Sequence, residues 1–312
     1  MKDLRIIFMG TPDFAVPSLK KLLENGCNVV AVITAPDKPA GRGLKISESD
    51  VKKLALAKNL KILQPEKLKR PDFISELQSL NADLQIVVAF RMLPEVVWNM
   101  PPMGTINLHG SLLPQYRGAA PINWAIINGE KKTGITTFKL KHEIDTGDIL
   151  MKKEIEIGET ETAGELYDRM KEIGAGLLLK TIQNLAENKL QEIPQATIKS
   201  SPAEKMPLQH APKISNETCE INWKKNTDEI YNLVRGLSPY PAAFTFLKGK
   251  KLKIFRAEKQ KTEVIKSPGE LVSDFKTFLK FVCNDGFISM KELQLEGKKK
   301  MDVEDFLRGW RD

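Results

Sequence analysis

Apolar and polar positions along the first part of the chain alternate between strand and helix patterns. Short apolar runs predict strands that are buried on both faces of a parallel sheet, and helical spacing separates them. Thr162 and Glu165 form a capping box that opens a long amphipathic helix. The pattern predicts an α/β domain with a mostly parallel, doubly wound sheet over residues 1–190. The strands are predicted at 4–9, 28–34, 84–89, 104–107, 134–140 and 149–157, and the first helix at 14–24.

The pattern breaks between residues 191 and 213. Four prolines punctuate a polar stretch without periodicity, which predicts a linker. A second module follows at 214–312, where short alternating runs at regular spacing indicate a small β-barrel. Its helix is predicted at 227–237, its strands at 243–247, 250–256, 277–283 and 286–295, and a closing helical turn at 303–307.

Length and composition fit an ordinary two-domain protein. The chain has 312 residues, of which 41% are hydrophobic and 28% are charged. Its three cysteines are far apart, so they indicate neither a disulfide framework nor a zinc site. The sequence lacks a signal pattern and an apolar run long enough to span a membrane. We therefore expect a cytoplasmic protein that does not interact with membranes.

The net charge of +8 is unevenly distributed. Residues 205–312 hold 21 basic and 15 acidic side chains, so most of the excess lies in the C-terminal third of the chain. A basic module of this kind favours a polyanionic partner, although a basic surface that serves only solubility would look the same.

The stretch from Asn107 to Gly118 is the most informative part of the chain. Asn107 and His109 occupy alternate positions at a predicted strand end, so their side chains point to the same face. Asp145 follows later, in the sequence Asp-Thr-Gly-Asp. An amide, an imidazole and a carboxylate can stabilise an oxyanion and move a proton without a metal. Turn chemistry alone also explains Asp-Thr-Gly-Asp.

Two other kinds of chemistry do not fit the sequence. Ser111 lies close to His109 but lacks the Gly-x-Ser-x-Gly elbow of a serine hydrolase. The first strand is followed by Gly10-Thr11-Pro12 and not by Gly-x-Gly-x-x-Gly, so NAD binding is not expected.

The motif Asn-x-His-x-Ser-Leu-Leu-Pro, with the later Asp-x-Gly-Asp, resembles the active site of the formyltetrahydrofolate-dependent formyltransferases. The segments 10–17, 36–43 and 234–241 match the same family in order and spacing. The resemblance implies a Rossmann-like formyltransferase domain followed by an OB-like barrel. It also implies transfer of a formyl group from 10-formyltetrahydrofolate to the α-amino group of methionyl initiator tRNA. The folate would be a cosubstrate, with no tightly bound cofactor, no metal and a monomeric enzyme.

The resemblance also assigns residues to the two substrates. Similar proteins often have an aromatic-Gly pair where this chain has Phe90-Arg91. The matching catalytic residues are Asn107, His109 and Asp145; the folate side comprises Phe90, Arg91, Met92, Leu93, Ser111, Leu112, Leu113 and Pro114; and the basic loop on the tRNA side comprises Lys38, Arg42 and Lys45. Lys248, Lys250 and Lys251 cluster on the predicted barrel, where they either contact tRNA phosphates or serve only solubility.

The residues leave two questions open. Either His109 accepts the amine proton while Asp145 orients it, or Asp145 acts through water while a protonated His109 stabilises the oxyanion. A formyltransferase of the same fold acting on a small amine and a non-catalytic tRNA-binding protein are the alternative functions.

Overall fold

The computed structural model of the chain describes residues 3–40, 45–198 and 207–310. The predicted fold class is confirmed, with a mostly parallel sheet in the first part of the chain and an antiparallel sheet in the last. The strands are β1 (Arg5–Gly10), β2 (Asn28–Ile33), β3 (Lys38–Ala40), β4 (Lys45–Ser47), β5 (Ile62–Leu63), β6 (Leu84–Val88), β7 (Thr105–His109), β8 (Arg117–Gly118), β9 (Lys132–Lys139), β10 (Ile149–Glu156), β11 (His210–Ala211), β12 (Ala243–Leu247), β13 (Lys250–Lys261), β14 (Leu271–Ser273), β15 (Leu279–Cys283), β16 (Gly286–Leu295) and β17 (Met301–Asp302).

The helices agree with the sequence pattern where that pattern is long and periodic. The capping box at Thr162 is present, since the backbone N–H of Thr162 donates to the Glu165 carboxylate and the Thr162 hydroxyl accepts from the Glu165 backbone. Several short helices were not predicted. The helices are α1 (Val16–Glu24), α2 (Asp50–Ala57), α3 (Pro71–Ser79), α4 (Glu95–Trp98), α5 (Pro121–Ile127), α6 (Ala163–Ala186), α7 (Asn216–Cys219), α8 (Thr227–Leu237) and α9 (Val303–Arg308).

The first sheet has the order β10-β9-β7-β6-β1-β2-β5. Strands β1, β2, β5, β6 and β7 pair in parallel, while β9 pairs antiparallel with β7. The order reverses direction between β1 and β6, which is the position where open α/β sheets bind ligands beyond their strand ends. Gly10 pairs with Val88, and Val88 pairs with Leu108, so the carboxyl ends of these strands lie at one edge.

The burial of strands β1 and β6 on both faces explains why their apolar runs predicted strands correctly. The interior residues of β1 and β6 are almost fully removed from water, as expected for a sheet covered on both faces. Leu108 faces α6, because a Cβ added to Gly174 of that helix would lie 3.0 Å from Leu108 Cδ2. Asn107 and His109, on alternate positions, therefore face away from α6.

The second sheet has the order β12-β13-β16-β15-β14, with β17 also paired to β16. Its pairs are antiparallel, and its apolar residues form one core with α8 and α9. Among the described residues, β12 and β14 do not pair with each other. The predicted barrel is therefore a half-barrel, which leaves one sheet open at its edges.

Two compact units emerge from the packing, and each is assembled from separate stretches of chain. The first unit comprises Met1–Arg117, Gly134–Ile155 and Tyr167–Gln209, and the second comprises Gly118–Thr133, Glu156–Leu166 and His210–Asp312.

Within the described ranges, no helix has both the length and the apolar character needed to cross a membrane.

Candidate active site

Strand β7 carries the predicted amide and imidazole to the carboxyl edge of the first sheet. Asn107 is partly buried, and no hydrogen bond to its carboxamide is found among the described residues. His109 is the last residue of β7 and is only 7% exposed. The ring of Phe138 stands edge-on to the imidazole, with 6.4 Å between ring centroids. Within the described ranges, the Asn107 carboxamide therefore has donors that are not in use, on the same face of β7 as the buried imidazole.

The contacts of His109 fix which ring nitrogen is available. Nε2 lies 2.9 Å from the carbonyl oxygen of Tyr116, and this oxygen can only accept a hydrogen bond. Nε2 therefore carries a proton, and in the neutral ring Nδ1 has a free lone pair. Nδ1 faces the Asp145 carboxylate, with 3.9 Å between Nδ1 and Oδ2. This distance is too long for a direct hydrogen bond but places a full negative charge beside the lone pair.

The turn that carries Asp145 is held tightly against strand β9. A Cβ on Gly147 would lie 1.6 Å from the carbonyl oxygen of Lys139, so only glycine fits there. Asp148 pairs with Lys141, with 2.8 Å between Nζ and Oδ2. Asp145 itself has a φ of +55°, a left-handed conformation that aspartate tolerates better than most residues.

Residues predicted for the folate side lie after β6 and β7 at the same sheet edge. Met92 is 73% exposed, whereas Phe90 and Leu93 pack against the sheet core. Arg91 donates to the carbonyl oxygens of Pro65 and Glu66, and burial lowers the pKa of its guanidinium. The guanidinium therefore fastens this loop to a neighbouring segment.

The loop after β7 mixes exposed and enclosed side chains. Ser111 is fully buried and donates to the carbonyl oxygen of Gln115, and Leu113 is fully buried against Phe138. Leu112 and Pro114 are only partly buried. The loop thus has a rigid base with two side chains near its surface.

The basic loop begins and ends in the strand pair β3–β4. Lys38 is exposed, while Arg42 and the side chain of Lys45 lie outside the described residues. Lys52 of α2 pairs with Asp37, and this hydrogen bond lowers the pKa of the Asp37 carboxyl. Gln64 also donates to Asp37, at 2.8 Å. The base of the loop is therefore fixed by contacts that the sequence did not reveal.

The predicted barrel lysines lie around the hairpin between β12 and β13. Lys248 and Lys250 are exposed. The turn of the hairpin is formed by Lys248 and Gly249, which both have positive φ. The Nζ of Lys251 lies 3.9 Å from the centroid of the Phe244 ring. These three cations thus lie on one hairpin.

Two residues of the first unit that the sequence pattern did not reveal support the Asp145 turn, one directly and the other through the first. Gln195, which is 4% exposed, donates to the carbonyl oxygens of Asp145 and Gly147. Arg117 donates to Gln195 in turn. In the described part of the chain, no cluster of three or more His, Cys, Asp or Glu side chains is arranged to hold a metal ion.

Comparison with known proteins matches both parts of the chain to one family. Residues 4–182 match the formyl transferase family model, and residues 213–311 match the model of the formyl transferase C-terminal domain. Asn107, His109 and Asp145 fall within the first match.

Curated relatives and a solved structure resemble the chain over nearly its whole length. A methionyl-tRNA formyltransferase of Phocaeicola vulgatus is 54% identical, covering 99% of this chain and 97% of the relative. One of Bacteroides fragilis is 52% identical, covering 99% and 96%. The sugar 3N-formyltransferase WlaRD, solved with dTDP and 5-N-formyl-THF, has a TM-score of 0.67 at 23% identity and covers 95% of this chain and 99% of its own, so it indicates the fold alone. By its full-length identity to these relatives and its two domain matches, this chain belongs to the formyl transferase family.

Proposed function

We propose that this protein transfers a formyl group from 10-formyltetrahydrofolate to the α-amino group of methionyl initiator tRNA. The observation that carries this proposal is the identity of 52–54% over nearly the full chain to two methionyl-tRNA formyltransferases. The convergence of Asn107, His109 and Asp145 at one sheet edge supports the same chemistry. The reaction serves translation initiation, so we also propose a cytoplasmic location.

Formyl transfer passes through a tetrahedral intermediate that has a negatively charged oxygen. The amine nitrogen bonds to the formyl carbon, and the bond from that carbon to N10 of the folate then breaks. Asn107 stabilises the oxyanion by donating a side-chain N–H that is not used elsewhere among the described residues. One such donor typically lowers the barrier by about 3–4 kcal/mol.

Proton transfer uses the free lone pair of His109. Because Nε2–H is donated to Tyr116, Nδ1 accepts the proton that the attacking amine loses. Asp145, 3.9 Å away, stabilises the resulting imidazolium. The same proton then passes to N10 as the leaving group departs, so the amine loses one proton and the folate gains one. This geometry favours the assignment in which His109 is the base and Asp145 its orienting charge.

The folate and the tRNA bind at the two sets of residues that the sequence analysis assigned to them. The folate binds at the edge formed by Phe90–Leu93 and the exposed parts of the loop at Ser111–Pro114. The tRNA contacts the basic loop around Lys38, Arg42 and Lys45 and the hairpin lysines at 248, 250 and 251. We propose that the second unit, built largely from 214–312 after the linker 191–213, holds the tRNA, and that a monomer suffices.

A formylation assay with three acceptors tests this function. The purified chain is incubated with 10-formyltetrahydrofolate and, separately, methionyl initiator tRNA, uncharged tRNA and an amino-sugar nucleotide. Product is measured as formyl-methionine released from the tRNA and as tetrahydrofolate formed. We expect product only with the methionyl tRNA and only when the folate is present.

One variant separates the effect on catalysis from the effect on tRNA binding. His109→Ala should abolish turnover by about two orders of magnitude or more while tRNA affinity stays within about twofold. Formylation of the amino-sugar nucleotide instead of the tRNA would assign a small-amine enzyme. Retention of full turnover by His109→Ala would refute the role of His109 as the base, and tRNA binding without turnover in the unaltered protein would refute the proposed reaction.

A further inference from the structure

A buried carboxamide connects the Asp145 turn to the segment that follows β7. Gln195 begins a short 3₁₀ turn after Pro194 and is 4% exposed. Its Nε2 donates to the carbonyl oxygens of Asp145 and Gly147, each at 2.8 Å. Its Oε1 accepts from Nε and Nη2 of Arg117, at 3.1 and 2.6 Å. Both donors and the acceptor of this carboxamide are therefore used.

The partners also fix the orientation of the carboxamide. Turning it over would face its NH₂ group toward the Arg117 donors and its oxygen toward two carbonyl oxygens, which cannot donate. The Arg117 contacts are charge-assisted, and they lie in a site that is largely removed from water. Gln195 thus has one hydrogen-bonded arrangement, and that arrangement fixes two backbone oxygens of the Asp145 turn.

We infer that Gln195, oriented by Arg117, is a positioning residue that sets the location of Asp145 relative to His109. This inference rests on the proposed function, because it assigns Asp145 a role in turnover. Asp145 has a φ of +55° and lies within a tight turn, so its backbone requires contacts that hold it there. The Nδ1–Oδ2 distance of 3.9 Å to His109 depends on that backbone.

Gln195→Met tests the inference, because methionine has a similar length but makes none of these hydrogen bonds. Gln195→Glu is a second variant that retains an acceptor for Arg117 but replaces the two donors with a charged oxygen. We expect kcat for methionyl tRNA to fall by about 10- to 100-fold in both, since a misplacement of about 1 Å costs up to that much. The KM values for tRNA and folate should stay within about twofold.

Gln85→Met is the matched control. Gln85 is also a buried, hydrogen-bonded glutamine of the first unit, but it lies at the opposite end of β6. The Gln85→Met variant should lower the midpoint of urea unfolding about as much as Gln195→Met does, while its kcat stays within about twofold of that of the unaltered protein. Equal kcat values for the two variants would overturn the inference.

A double-mutant cycle and a crystal structure complete the test. In an Asp145→Asn background, Gln195→Met should lower kcat by less than about twofold, since both changes remove the same contribution. The Gln195→Met structure should show the residue-145 side chain displaced from His109. A full multiplicative loss, or an unchanged distance of 3.9 Å, would refute positioning. If the unaltered chain does not formylate tRNA, the proposed function fails, and the crystal structure alone decides the inference.

Discussion

The Asp145 carboxylate lies 3.9 Å from Nδ1 of His109, while Nε2 of the same ring donates to Tyr116. The imidazole is thus hydrogen-bonded on one side and faces a carboxylate on the other. The two carboxylates of the Asp145 turn thus have different partners. Asp145 faces the imidazole, whereas Asp148 is paired with Lys141.

Asp145→Asn should lower kcat by about 100-fold or more, because the imidazolium formed during transfer loses its neighbouring charge. Asp148→Asn, the matched control in the same turn, should lower kcat by less than about fivefold. Steady-state formylation of methionyl tRNA measures both values. Similar losses in the two variants would indicate that the turn needs its carboxylates only to fold.

Asn107→Ala should lower kcat by about 10²- to 10³-fold with little change in the KM of either substrate, because it removes a donor that acts on the developing oxyanion. Asn99→Ala is the control, since Asn99 is an exposed carboxamide at the end of α4. Steady-state formylation of methionyl tRNA at saturating folate compares kcat and KM of the two variants. An increase in KM at unchanged kcat would assign Asn107 to substrate binding instead.

The chain's local pattern was sufficient to predict β7 and the shared face of Asn107 and His109, because strand alternation depends only on neighbouring residues. Gln195 was hidden within a predicted linker. Its partners Arg117 and Asp145 are 78 and 50 residues away, and such hydrogen bonds leave no periodic trace in the sequence.

The short helices were also not evident from the local sequence pattern. Helix α2 begins after Ser49, whose side chain accepts from the backbone N–H of Lys52. With eight residues, α2 is too short for a clear apolar stripe, and tertiary packing stabilises it.

Gly147→Ala should lower kcat by about 10-fold or more, because a Cβ there would overlap the Lys139 carbonyl and push the Asp145 turn away from β9. Gly176→Ala is the control within the same unit. Gly176 lies inside α6, and a Cβ there has no heavy atom within 4 Å. That variant should be more stable by about 0.5–1 kcal/mol with unchanged turnover. Equal turnover in both variants would contradict a role for the turn's position.

Replacing Lys248, Lys250 and Lys251 with alanine should weaken tRNA binding and lower the slope of log Kd against log salt by about 2–3, because each lysine that contacts phosphate releases counterions. Lys58, Lys67 and Lys69 are exposed lysines of the first unit and give a control triple variant with the same change in charge. Binding is measured by fluorescence titration at several salt concentrations. An equal reduction in both triple variants would mean that only net charge matters.

The Asp228 carboxylate provides a test of stability against pH in the second unit. Hydrogen bonds from Lys259 and Lys261 lower its pKa from 3.8 to about 2. The carboxylate therefore stabilises the folded state above pH 3.8, and this contribution is lost as the pH falls toward about 2. Because its side chain is 45% exposed, solvent screening limits the contribution to less than about 1 kcal/mol.

Asp228→Asn should accordingly lower the free energy of unfolding by less than about 1 kcal/mol near neutral pH, and the difference from the unaltered protein should shrink in acid. Urea unfolding at about pH 6, 4 and 3 measures it. Glu263→Gln is the control, since Glu263 is exposed and no ion pair to it is found in the described residues. A difference between Asp228→Asn and the unaltered protein that stays constant from pH 6 to 3 would show that Asp228 acts through packing or helix capping and not through its charge.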